Sequence, residues 1–428
     1  MPLTTLHLTN AWHATSGGIR TFYMALLEAG NRDHRRVVVV APGPADACEM
    51  VGRFGRIYFV KAPSAPAFDR RYRLIYPHRY FPGIGRRIGE ILERERPDIV
   101  EISDKYSLPY LAAMLRKNWL PRVPRPVLVG LSCERFDDNM AAYLNRGGMA
   151  RRFTQWYVRH VYGPPFDVHV ANSTYTAAEL RTVFPDRPEG FVRVCPMGVD
   201  VSGFSPSRRS RATRAQLLRR CGGGYATTLL LYAGRLAPEK NLGLLVESLR
   251  RLVGDAGSDY RLVVAGDGPR AAWLRAQAVG VLDGRILLCG HLDRQALAEC
   301  YASCDVFVHP NPREPFGIGP LEAMASGIPV VVPNSGGVLT YATSSNAWVA
   351  EPTAPGFADA IRGAAAGDPA RTRAARETAQ QFRWDAVTKH YFELYDEIHR
   401  HVTGPRIPVD VGDRPELPAS HPVAAAGR

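Results

Sequence analysis

The sequence predicts two doubly wound α/β domains in series, each built on a mostly parallel sheet. Short apolar runs alternate with helical stretches in two rounds, the first from TTLHLTN to VRVCPMG and the second from TTLLLYAG to AWVAE. The 428 residues are enough for two full cores. A composition with 46% hydrophobic and 22% charged residues is typical of a folded globular chain.

The first round defines a domain that we place at residues 1–196. Its strand candidates are TTLHLTN, RVVVVAP, RIYFV, DIVEIS, PVLVGLS, VHVANS and VRVCPMG. Helical stretches such as IRTFYMALLEAG and GRRIGEILERER separate them. The join lies near residues 196–207, and the following SRRSRATRAQLLRRCGGG predicts a surface helix with a glycine stop.

The second round defines a domain that we place at residues 197–384. Its strand candidates are TTLLLYAG, RLVVAGDG, RILLCG, DVFVHP, IPVVVP and AWVAE. An amphipathic pattern in FRWDAVTKHYFELYDEI then predicts a final helix, which we place at residues 385–402. We expect disorder in residues 403–428, because this tail has five prolines in 26 residues and no core-forming pattern.

Positive charge is concentrated in the first half of the chain. Residues 1–195 contain 28 Lys and Arg against 18 Asp and Glu, a net +10, whereas the remainder contributes 26 against 23, or +3. Within residues 53–96, arginines alternate with aromatic and aliphatic side chains, which suits an anionic membrane surface better than nucleic acid. A solvated arginine-rich face would give the same pattern, and both interpretations stay open.

Targeting and cysteine signals point to a cytoplasmic protein. The first residues read as a strand and not as a signal peptide, and no apolar run approaches the length of a membrane span. The seven cysteines are scattered without a CxxC pair, so neither a disulfide framework nor a zinc site is indicated. We therefore expect a cytoplasmic location, with peripheral association at the inner membrane face as the extension that the basic stretch suggests.

The most informative segment is HPNPREPFGIGPLEAMASGIPVVVPNSGG, which covers residues 309–337. It places Glu314 and Glu322 eight positions apart around a glycine-containing turn. Pro320 at a first helical position and Gly327 beyond the end predict a short helix between two strands. Such a helix N-terminus faces the edge where ligands bind in α/β sheets, so a ligand with hydroxyls and phosphates is expected. Favourable charge near a helix start is the alternative.

Two further loops follow strands in the same way. Gly17 and Gly18 lie where a helix opens after the first strand, and they would let an anion approach the backbone, although a plain strand-to-helix turn would look the same. Arg235 directly follows a strand, with Lys240 five residues on before a helix. A guanidinium fork and an ammonium at one strand end make a suitable phosphate clamp. Isolated surface cations are the alternative.

Taken together, the motifs resemble a known family. SGGIRTF, VANSTYTAAEL, PMGVD, AGRLAPEKN, VVAGDGP, EPFGIGPLEAMASGIPVV and FRWDAVTKHYFELYDEI cover nearly the whole chain. They resemble the retaining glycosyltransferases of family four, the group 1 glycosyltransferases that include bacterial mannosyl and glucosyl transferases. That family has the GT-B architecture of two facing Rossmann-like domains. The resemblance implies a nucleotide-sugar donor in the cleft, held mainly by the second domain, and an acceptor bound by the first domain.

The resemblance also implies a role for each matching residue. Arg235 and Lys240 would grip the donor diphosphate, Glu314 the hydroxyls of the transferred sugar and Glu322 those of the ribose. The backbone expected to contact the donor belongs to Gly17, Gly18, His291, Leu292, Phe316, Gly317 and Ile318. Among these, His291 and Leu292 would meet the base. The donor would be a GDP- or UDP-linked hexose of mannose or glucose type, and the acceptor a lipid, a glycan or a small molecule.

The residue types fit transfer without a metal or other cofactor. Cleaving a sugar from a diphosphate builds negative charge on the leaving group, which preplaced cations and helix amides stabilise. The chain contains no Asp-x-Asp pair of the kind that holds a divalent metal in the other main glycosyltransferase architecture. Arg235 and Lys240 are therefore expected to do this work, with Glu314 beside them. The resemblance implies retention through same-face attack, with the leaving phosphate helping to deprotonate the acceptor.

One position departs from the family. Many members carry a histidine after the strand that here reads PVLVGLSCERFDDN, where this chain has Cys133 and Glu134. These two residues and Asp104 are the acceptor-side candidates, and a structural thiol is the alternative for Cys133. Nucleotide-sugar epimerases and phosphorylases can share two facing Rossmann-like domains and are alternatives, as is a non-catalytic basic module that binds membrane or nucleic acid.

Overall fold

The computed structural model describes residues 2–12, 18–65, 72–81, 86–138, 140, 147–254 and 259–404. Gly17 and the predicted disordered tail beyond Gly404 lie outside the described residues. Two sheets, each formed almost entirely from parallel strands, organise the chain, as the sequence predicts. The fold class of two doubly wound α/β domains is thus confirmed.

The first sheet has eight strands in the order β3-β4-β2-β1-β5-β6-β7-β8. Its strands are β1 Thr5–Leu8, β2 Val37–Gly43, β3 Ala47–Val51, β4 Gly55–Lys61, β5 Ile99–Ile102, β6 Val127–Ser132, β7 Val168–Ala171 and β8 Val192–Val194. All pairs are parallel except β3 with β4. The run VVVV in β2 is buried throughout, as expected for a strand covered on both faces.

The second sheet has six parallel strands in the order β11-β10-β9-β12-β13-β14. Its strands are β9 Thr228–Ala233, β10 Tyr260–Ala265, β11 Ile286–Gly290, β12 Val306–Val308, β13 Val330–Pro333 and β14 Trp348–Ala350. All six were predicted from their apolar runs. The strand order reverses between β9 and β12, and ligands bind in open α/β sheets at the carboxyl ends of strands beside such a reversal.

Helices connect the strands and cover the sheets. In the first half they are α1 Gly18–Arg32, α2 Arg87–Glu95, α3 Pro109–Arg116, α4 Gly147–Tyr157, which continues as a π-turn at Val158–Tyr162, and α5 Thr174–Val183. In the second half they are α6 Arg211–Arg220, α7 Leu242–Val253, α8 Ala271–Ala276, α9 Arg294–Ser303, α10 Ile318–Ser326, α11 Ala354–Ala366, α12 Pro369–Gln381 and α13 Trp384–Thr403. The predicted surface helix is α6, and Gly222 follows it at φ +64°.

The last helix, α13, packs on elements of the first sheet. The rings of Tyr391 and Phe22 of α1 lie 4.8 Å apart, and the Tyr391 hydroxyl donates to the Cys195 carbonyl at 2.9 Å. Glu397 pairs with Arg193 at 3.0 Å. Because α13 follows the second sheet in the chain and contacts the first, it joins the two halves and helps fix the cleft between them.

All seven cysteines are free thiols. Among the helices that the structure describes, none has both the length and the apolar character of a membrane span.

Candidate active site

The strand ends of the second sheet bring the predicted cations and carboxylates together. β9 leads to Arg235 and then to a 3₁₀ turn, Pro238–Lys240. β12 leads to a loop that carries Glu314 before α10 begins. Asn241, in the left-handed conformation at φ +52°, donates from Nδ2 to the Pro310 carbonyl at 3.0 Å and so fastens the two loops to each other. The loops after β9 and β12, where the strand order reverses, thereby form one site.

Lys240 and Glu314 form an ion pair at the centre of this site. Lys240 Nζ donates to Glu314 Oε2 at 2.8 Å, and Asn311 Nδ2 donates to the same oxygen at 3.0 Å. Burial alone would raise the pKa of Glu314, but the charge and hydrogen bond of Lys240, with smaller contributions from His309 and Asn311, lower that pKa to about 2. Glu314 is therefore ionised at every physiological pH and serves as a hydrogen-bond acceptor.

His309 lies behind this pair and is nearly fully buried. Its Nε2 atom is 3.8 Å from Glu314 Oε2 and has no hydrogen-bond partner in the described structure. Burial lowers the pKa of His309 to about 4, because desolvation and the nearby Lys240 charge outweigh the attraction of Glu314. The imidazole is thus neutral at pH 7 and leaves a buried polar atom available at the wall of the site.

Arg235 is held beside the turn by a second carboxylate. Its guanidinium donates to Glu239, and about a third of its side chain is exposed. The Tyr232 hydroxyl donates to the Arg235 carbonyl at 3.1 Å, which fixes the backbone from which the guanidinium extends. Both cations of the predicted clamp are therefore paired with carboxylates in this structure, and an anionic ligand would have to share or replace those partners.

The loop that carries Glu314 has a rigid support. The amide of Gly337 donates to the Glu314 carbonyl at 2.7 Å, and a Cβ atom at Gly337 would lie 1.8 Å from the Pro315 carbonyl oxygen, so no other residue fits there. Phe316 is buried with its ring at an angle to Tyr341, 5.3 Å between centroids, and the Tyr341 hydroxyl donates to the Gly317 carbonyl.

The start of α10 presents backbone amides that no side chain caps. Ile318 is its first residue, so Pro320 is the third helical residue and not the first as predicted, and Gly327 ends the helix at φ +74° as predicted. Gly317 precedes the helix at φ +86° and provides no side-chain cap. The first amides of α10 consequently have no side-chain acceptor, as a ligand phosphate or hydroxyl would require.

Glu322 lies one turn into α10 in a different electrostatic environment. It accepts a hydrogen bond from the buried Tyr301 hydroxyl at 2.9 Å. Burial raises the pKa of Glu322 to about 7, because the Tyr301 bond and the charge of Arg294 offset only part of the desolvation and Asp200 adds repulsion. The two carboxylates of the segment therefore have opposite shifts, and only Glu322 titrates near neutral pH.

The first domain meets the same loop through two helix N-termini. A Cβ atom added to Gly18, the first residue of α1, would lie 3.0 Å from Ile318 Cδ1. Ser173, the N-cap of α5, accepts from the Thr176 amide at 3.0 Å and donates from its hydroxyl to the Pro315 carbonyl at 2.5 Å. Loop residues of the second domain thus contact α1 and α5 of the first.

The three acceptor-side candidates follow β5 and β6 and differ in character. Asp104 Oδ2 accepts from the amides of Ser107 and Leu108 at 2.7 and 2.8 Å, which makes that oxygen a turn-capping group ahead of α3. Burial raises the pKa of the Cys133 thiol well above its usual range, so the thiol is protonated at neutral pH. The Glu134 carbonyl accepts from Lys105 Nζ at 2.6 Å.

His291 and Leu292 follow β11 at the outer side of the same sheet edge. His291 is exposed and Leu292 is half-buried against the core. The Gly266 amide donates to the Gly290 carbonyl at 2.8 Å and holds the backbone just before them. Their position at the carboxyl end of a strand is the one that the sequence predicts.

Some residues of the site were not identified from the sequence. Asn311 and His309 belong to the segment singled out there, but neither was assigned a role, although an amide three residues before Glu314 was a usable signal. Ser173 was recognisable as a helix cap, whereas its contact with Pro315, 142 positions away, had no sequence signal. Among the described residues, no three His, Cys, Asp or Glu side chains cluster as metal ligands.

The facing parallel sheets, the cations at the strand reversal and the amide-lined turn define a GT-B glycosyltransferase. Two family models match, one described as Glycosyltransferase Family 4 over residues 16–202 and one as Glycosyl transferases group 1 over residues 226–381. The chain belongs to this family of group 1 glycosyltransferases. It is therefore an enzyme, and neither the epimerase nor the non-catalytic binding module is supported.

Individual relatives agree with this assignment. The chain is 28% identical over 384 residues to the GDP-mannose-dependent alpha-(1-6)-phosphatidylinositol dimannoside mannosyltransferase of Mycobacterium tuberculosis, covering 89% of this chain and 92% of the relative. It is 37% identical over 309 residues to a GDP-mannose-dependent alpha-mannosyltransferase of the same species, covering 68% and 73%. The fold superposes on sucrose-phosphate synthase from Thermosynechococcus elongatus with a TM-score of 0.70 at 20% identity, covering 92% and 99%.

Proposed function

We propose that this glycosyltransferase moves mannose from GDP-mannose to a lipid-linked or glycan acceptor, with retention and without a metal or other cofactor. The donor assignment is supported by the names of the two mycobacterial relatives, both of which are GDP-mannose-dependent. The observation that carries the site assignment is the Lys240–Glu314 pair at 2.8 Å beside the uncapped start of α10. A cation, an ionised carboxylate and backbone amides without side-chain acceptors lie close together there, and these groups match the charge and the hydroxyls of a sugar diphosphate.

Each group has a distinct task in this proposal. Lys240 and Arg235 bind the diphosphate and stabilise the negative charge that grows on it as the sugar leaves. The amides of Phe316, Gly317 and Ile318 add neutral donors to the same charge. Glu314, ionised because its pKa is about 2, accepts hydrogen bonds from hydroxyls of the transferred mannose. It does not act as a general acid, since it holds no proton at neutral pH.

The remaining donor contacts extend outward along the sheet edge. Glu322, whose pKa is about 7, accepts from the ribose hydroxyls when ionised. The backbone at His291 and Leu292 contacts the guanine base, and the α1 N-terminus with Gly17 and Gly18 closes over the phosphates. Gly18 suits this task because its missing side chain is what allows α1 to approach Ile318.

The transfer balances without any further reactant. The bond between the anomeric carbon and the β-phosphate oxygen breaks, and the acceptor oxygen bonds to the same face of that carbon. The acceptor proton passes to the leaving phosphate oxygen, so the products are GDP and the mannosylated acceptor. Cys133 contributes no nucleophile to this step, because its raised pKa keeps it protonated.

The acceptor belongs to the first domain in this proposal, and the enzyme works as a peripheral protein at an anionic membrane. That domain carries net charge +10 of the total +13, and cationic surfaces are attracted to anionic lipid headgroups. The mycobacterial relative that acts on a phosphatidylinositol dimannoside makes this lipid the first acceptor to test.

A donor panel tests the proposal. The purified enzyme is incubated with GDP-mannose, GDP-glucose, UDP-glucose or UDP-galactose, with EDTA and without acceptor, and the slow release of nucleoside diphosphate is measured. We expect release from GDP-mannose above all, and transfer to phosphatidylinositol dimannoside with α-configuration by NMR. Faster release from a UDP-sugar would reject the donor, loss of turnover in EDTA would reject metal independence, and an inverted product would reject retention.

A further inference from the structure

Helix α4 exposes a stripe of large apolar side chains. Met149, Phe153 and Trp156 are 65%, 51% and 53% exposed. Their spacing of four and three residues puts them on one face of the helix, whereas Thr154 and Val158 on the other side are buried. The rings of Phe153 and Trp156 stack with centroids 6.3 Å apart. Three such side chains together form an exposed apolar patch of the kind that marks an interaction surface.

The stretch of sequence that contains this stripe has basic residues and no acidic ones. Residues 139–166 contain four arginines and neither Asp nor Glu. Arg151, Arg152 and Arg159 are all exposed, and the only acid that the described structure pairs with one of them is Asp186, 3.9 Å from Arg159 Nη2. By the helical period Arg152 and Arg159 flank the stripe, whereas Arg151 is on the face of Thr154 and Val158 and lines a cleft with Asp137 and Glu179. An apolar stripe with Arg152 and Arg159 beside it matches a bilayer with anionic headgroups, because the apolar side chains meet the acyl boundary and the arginines meet the phosphates.

An aromatic path connects the stripe to the acceptor side of the cleft. The ring centroids of Tyr157 in α4 and Phe136 are 5.3 Å apart, and those of Phe136 and Tyr106 are 5.4 Å apart. The Tyr157 hydroxyl also donates to the Lys105 carbonyl at 2.9 Å. Since Tyr106 and Phe136 belong to the loops after β5 and β6, Tyr157 at the end of α4 lies at the same edge of the sheet as the acceptor-side candidates. A lipid held at the stripe would therefore have its headgroup near the cleft.

The basic stretch at residues 53–96 has a different arrangement where the structure describes it. Its apolar members Tyr80, Ile88 and Leu92 are buried in the core. Arg56 pairs with the buried Glu95 at 2.6 Å, and Arg79 with Asp46 at 2.9 Å. Side chains that fill a core cannot enter a bilayer, and compensated arginines attract headgroups weakly. The stripe on α4 is the better lipid surface of the two.

We propose that Met149, Phe153 and Trp156 insert into the interfacial region of an anionic bilayer while Arg152 and Arg159 bind lipid phosphates. The proposal rests on the proposed function only in that a lipid acceptor needs such a surface; docking itself requires no donor chemistry. We expect α4 to enter the bilayer only as deeply as an interfacial helix does, with its aromatic rings at the level of the lipid headgroups.

Vesicle cosedimentation tests the surface. The full chain is mixed at low salt with phosphatidylcholine vesicles that contain or lack phosphatidylglycerol. We expect binding to the anionic vesicles alone and its release at high salt. Phe153→Ser with Trp156→Ser should weaken binding about tenfold, and Arg152→Gln with Arg159→Gln about thirtyfold, since each basic residue near the surface contributes about fivefold.

Matched controls keep the test specific. Trp119→Ser removes another half-exposed tryptophan, on the connection from α3 to β6 at the amino-end edge of the sheet, and Arg53→Gln with Arg94→Gln removes two exposed arginines from the other basic stretch. Both should bind within about twofold of the native chain. Weaker binding by the controls than by the α4 variants would overturn the proposal, as would native protein that ignores anionic vesicles.

Two further measurements distinguish bilayer docking from dimerisation through the stripe and from the proposed donor activity. Native protein that is dimeric by light scattering, with a monomeric Phe153→Ser/Trp156→Ser variant, would overturn the proposal in favour of a second copy covering the stripe. All α4 variants should release GDP from GDP-mannose at the native rate. Vesicle binding without any such release in the native chain would reject the proposed donor and leave the docking surface intact.

Discussion

Replacing Lys240 with glutamine tests the centre of the site, because it removes one charge and keeps most of the side-chain volume. In the native chain Lys240 Nζ is 2.8 Å from Glu314 Oε2, with the two side chains 21% and 14% exposed. Without the ammonium, Glu314 keeps the amide of Asn311 and the neutral His309 as neighbours. A mostly buried carboxylate would then lack its counter-charge.

The structure sets the magnitude of the effect. Solvent-exposed ion pairs contribute about 0–1 kcal/mol, and breaking a fully buried pair costs about 3–5 kcal/mol. The intermediate exposure of Lys240 and Glu314 places the expected loss of unfolding free energy at about 2 kcal/mol at pH 7. The drop of the Glu314 pKa from 4.5 to about 2 corresponds to roughly 3 kcal/mol, an upper bound consistent with that value.

The pH dependence has a definite sign. A carboxyl whose pKa is lowered by folding contributes stability above its unfolded pKa and loses that contribution as the pH falls through the folded value. The difference between native chain and Lys240→Gln should therefore be complete above about pH 5 and shrink between pH 4.5 and 2. Urea unfolding should show the full difference at pH 7 and a clearly reduced one at pH 3.

Catalysis should suffer more than stability. Loss of a charge stabiliser from a leaving group lowers turnover about 10²- to 10³-fold, which GDP release from GDP-mannose measures. Lys389→Gln is the matched control, because Lys389 pairs with Glu393 at 3.9 Å with both side chains mostly exposed and should change unfolding by less than about 0.5 kcal/mol. Native-like stability and turnover in Lys240→Gln would refute the assigned role.

Three further outcomes follow from the same geometry. Ser173→Ala should lower the unfolding free energy by about 2 kcal/mol in urea, because it removes both a helix cap and the bond to Pro315; an unchanged midpoint would show that the interdomain contact contributes nothing. The unfolding free energy of Glu322→Gln relative to the native chain should rise by roughly 3 kcal/mol as the pH increases from 4.5 through 7, since a raised pKa makes ionisation costly in the folded state; the same difference in urea unfolding at pH 5 and pH 8 would contradict this. Cys133→Ala should retain measurable transfer while Arg235→Ala does not, and steady-state kinetics with the reverse order would overturn the division of roles.

The sequence predicted the sheets well because buried parallel strands are long apolar runs. All six strands of the second sheet and seven of the eight in the first correspond to such runs. The missing one, β3 at Ala47–Val51, is an exposed antiparallel edge strand with no apolar pattern. A strand that is buried on both faces must be apolar throughout, so its sequence identifies it. An exposed edge strand has no such requirement and forms by pairing with a neighbouring strand.

The proximity of Arg235, Lys240 and Glu314 was predictable for a similar reason. All three lie in loops that follow strands β9 and β12, and parallel strands end at one edge, so sequence position alone placed them near each other. Their pairing, however, depends on the left-handed turn at Asn241 and on the support from Gly337. Those are loop conformations, which side-chain spacing does not determine.

Contacts between the domains were beyond reach of the sequence. Ser173 and Pro315 are 142 positions apart, and their hydrogen bond depends on how two separately folded sheets are oriented. For Asp104 the sequence missed a local contact instead of a distant one. Asp104 follows β5 at the expected edge, but amides of its own turn donate to Oδ2, and only the backbone conformation of that turn reveals this.

The pairing of Lys240 with Glu314 has a consequence for how the site selects its donor. Without a ligand, the carboxylate that would read sugar hydroxyls is occupied by the cation that would bind phosphate. A free sugar would have to break this pair and offer no charge in return, which leaves a mostly buried cation uncompensated. In the proposed function, a sugar diphosphate would supply its own anion to Lys240 and thereby release Glu314 for the hydroxyls. Because each half of the donor would then restore what the other half disrupts, we expect the turn to select the intact nucleotide-sugar before any contact with the base is made.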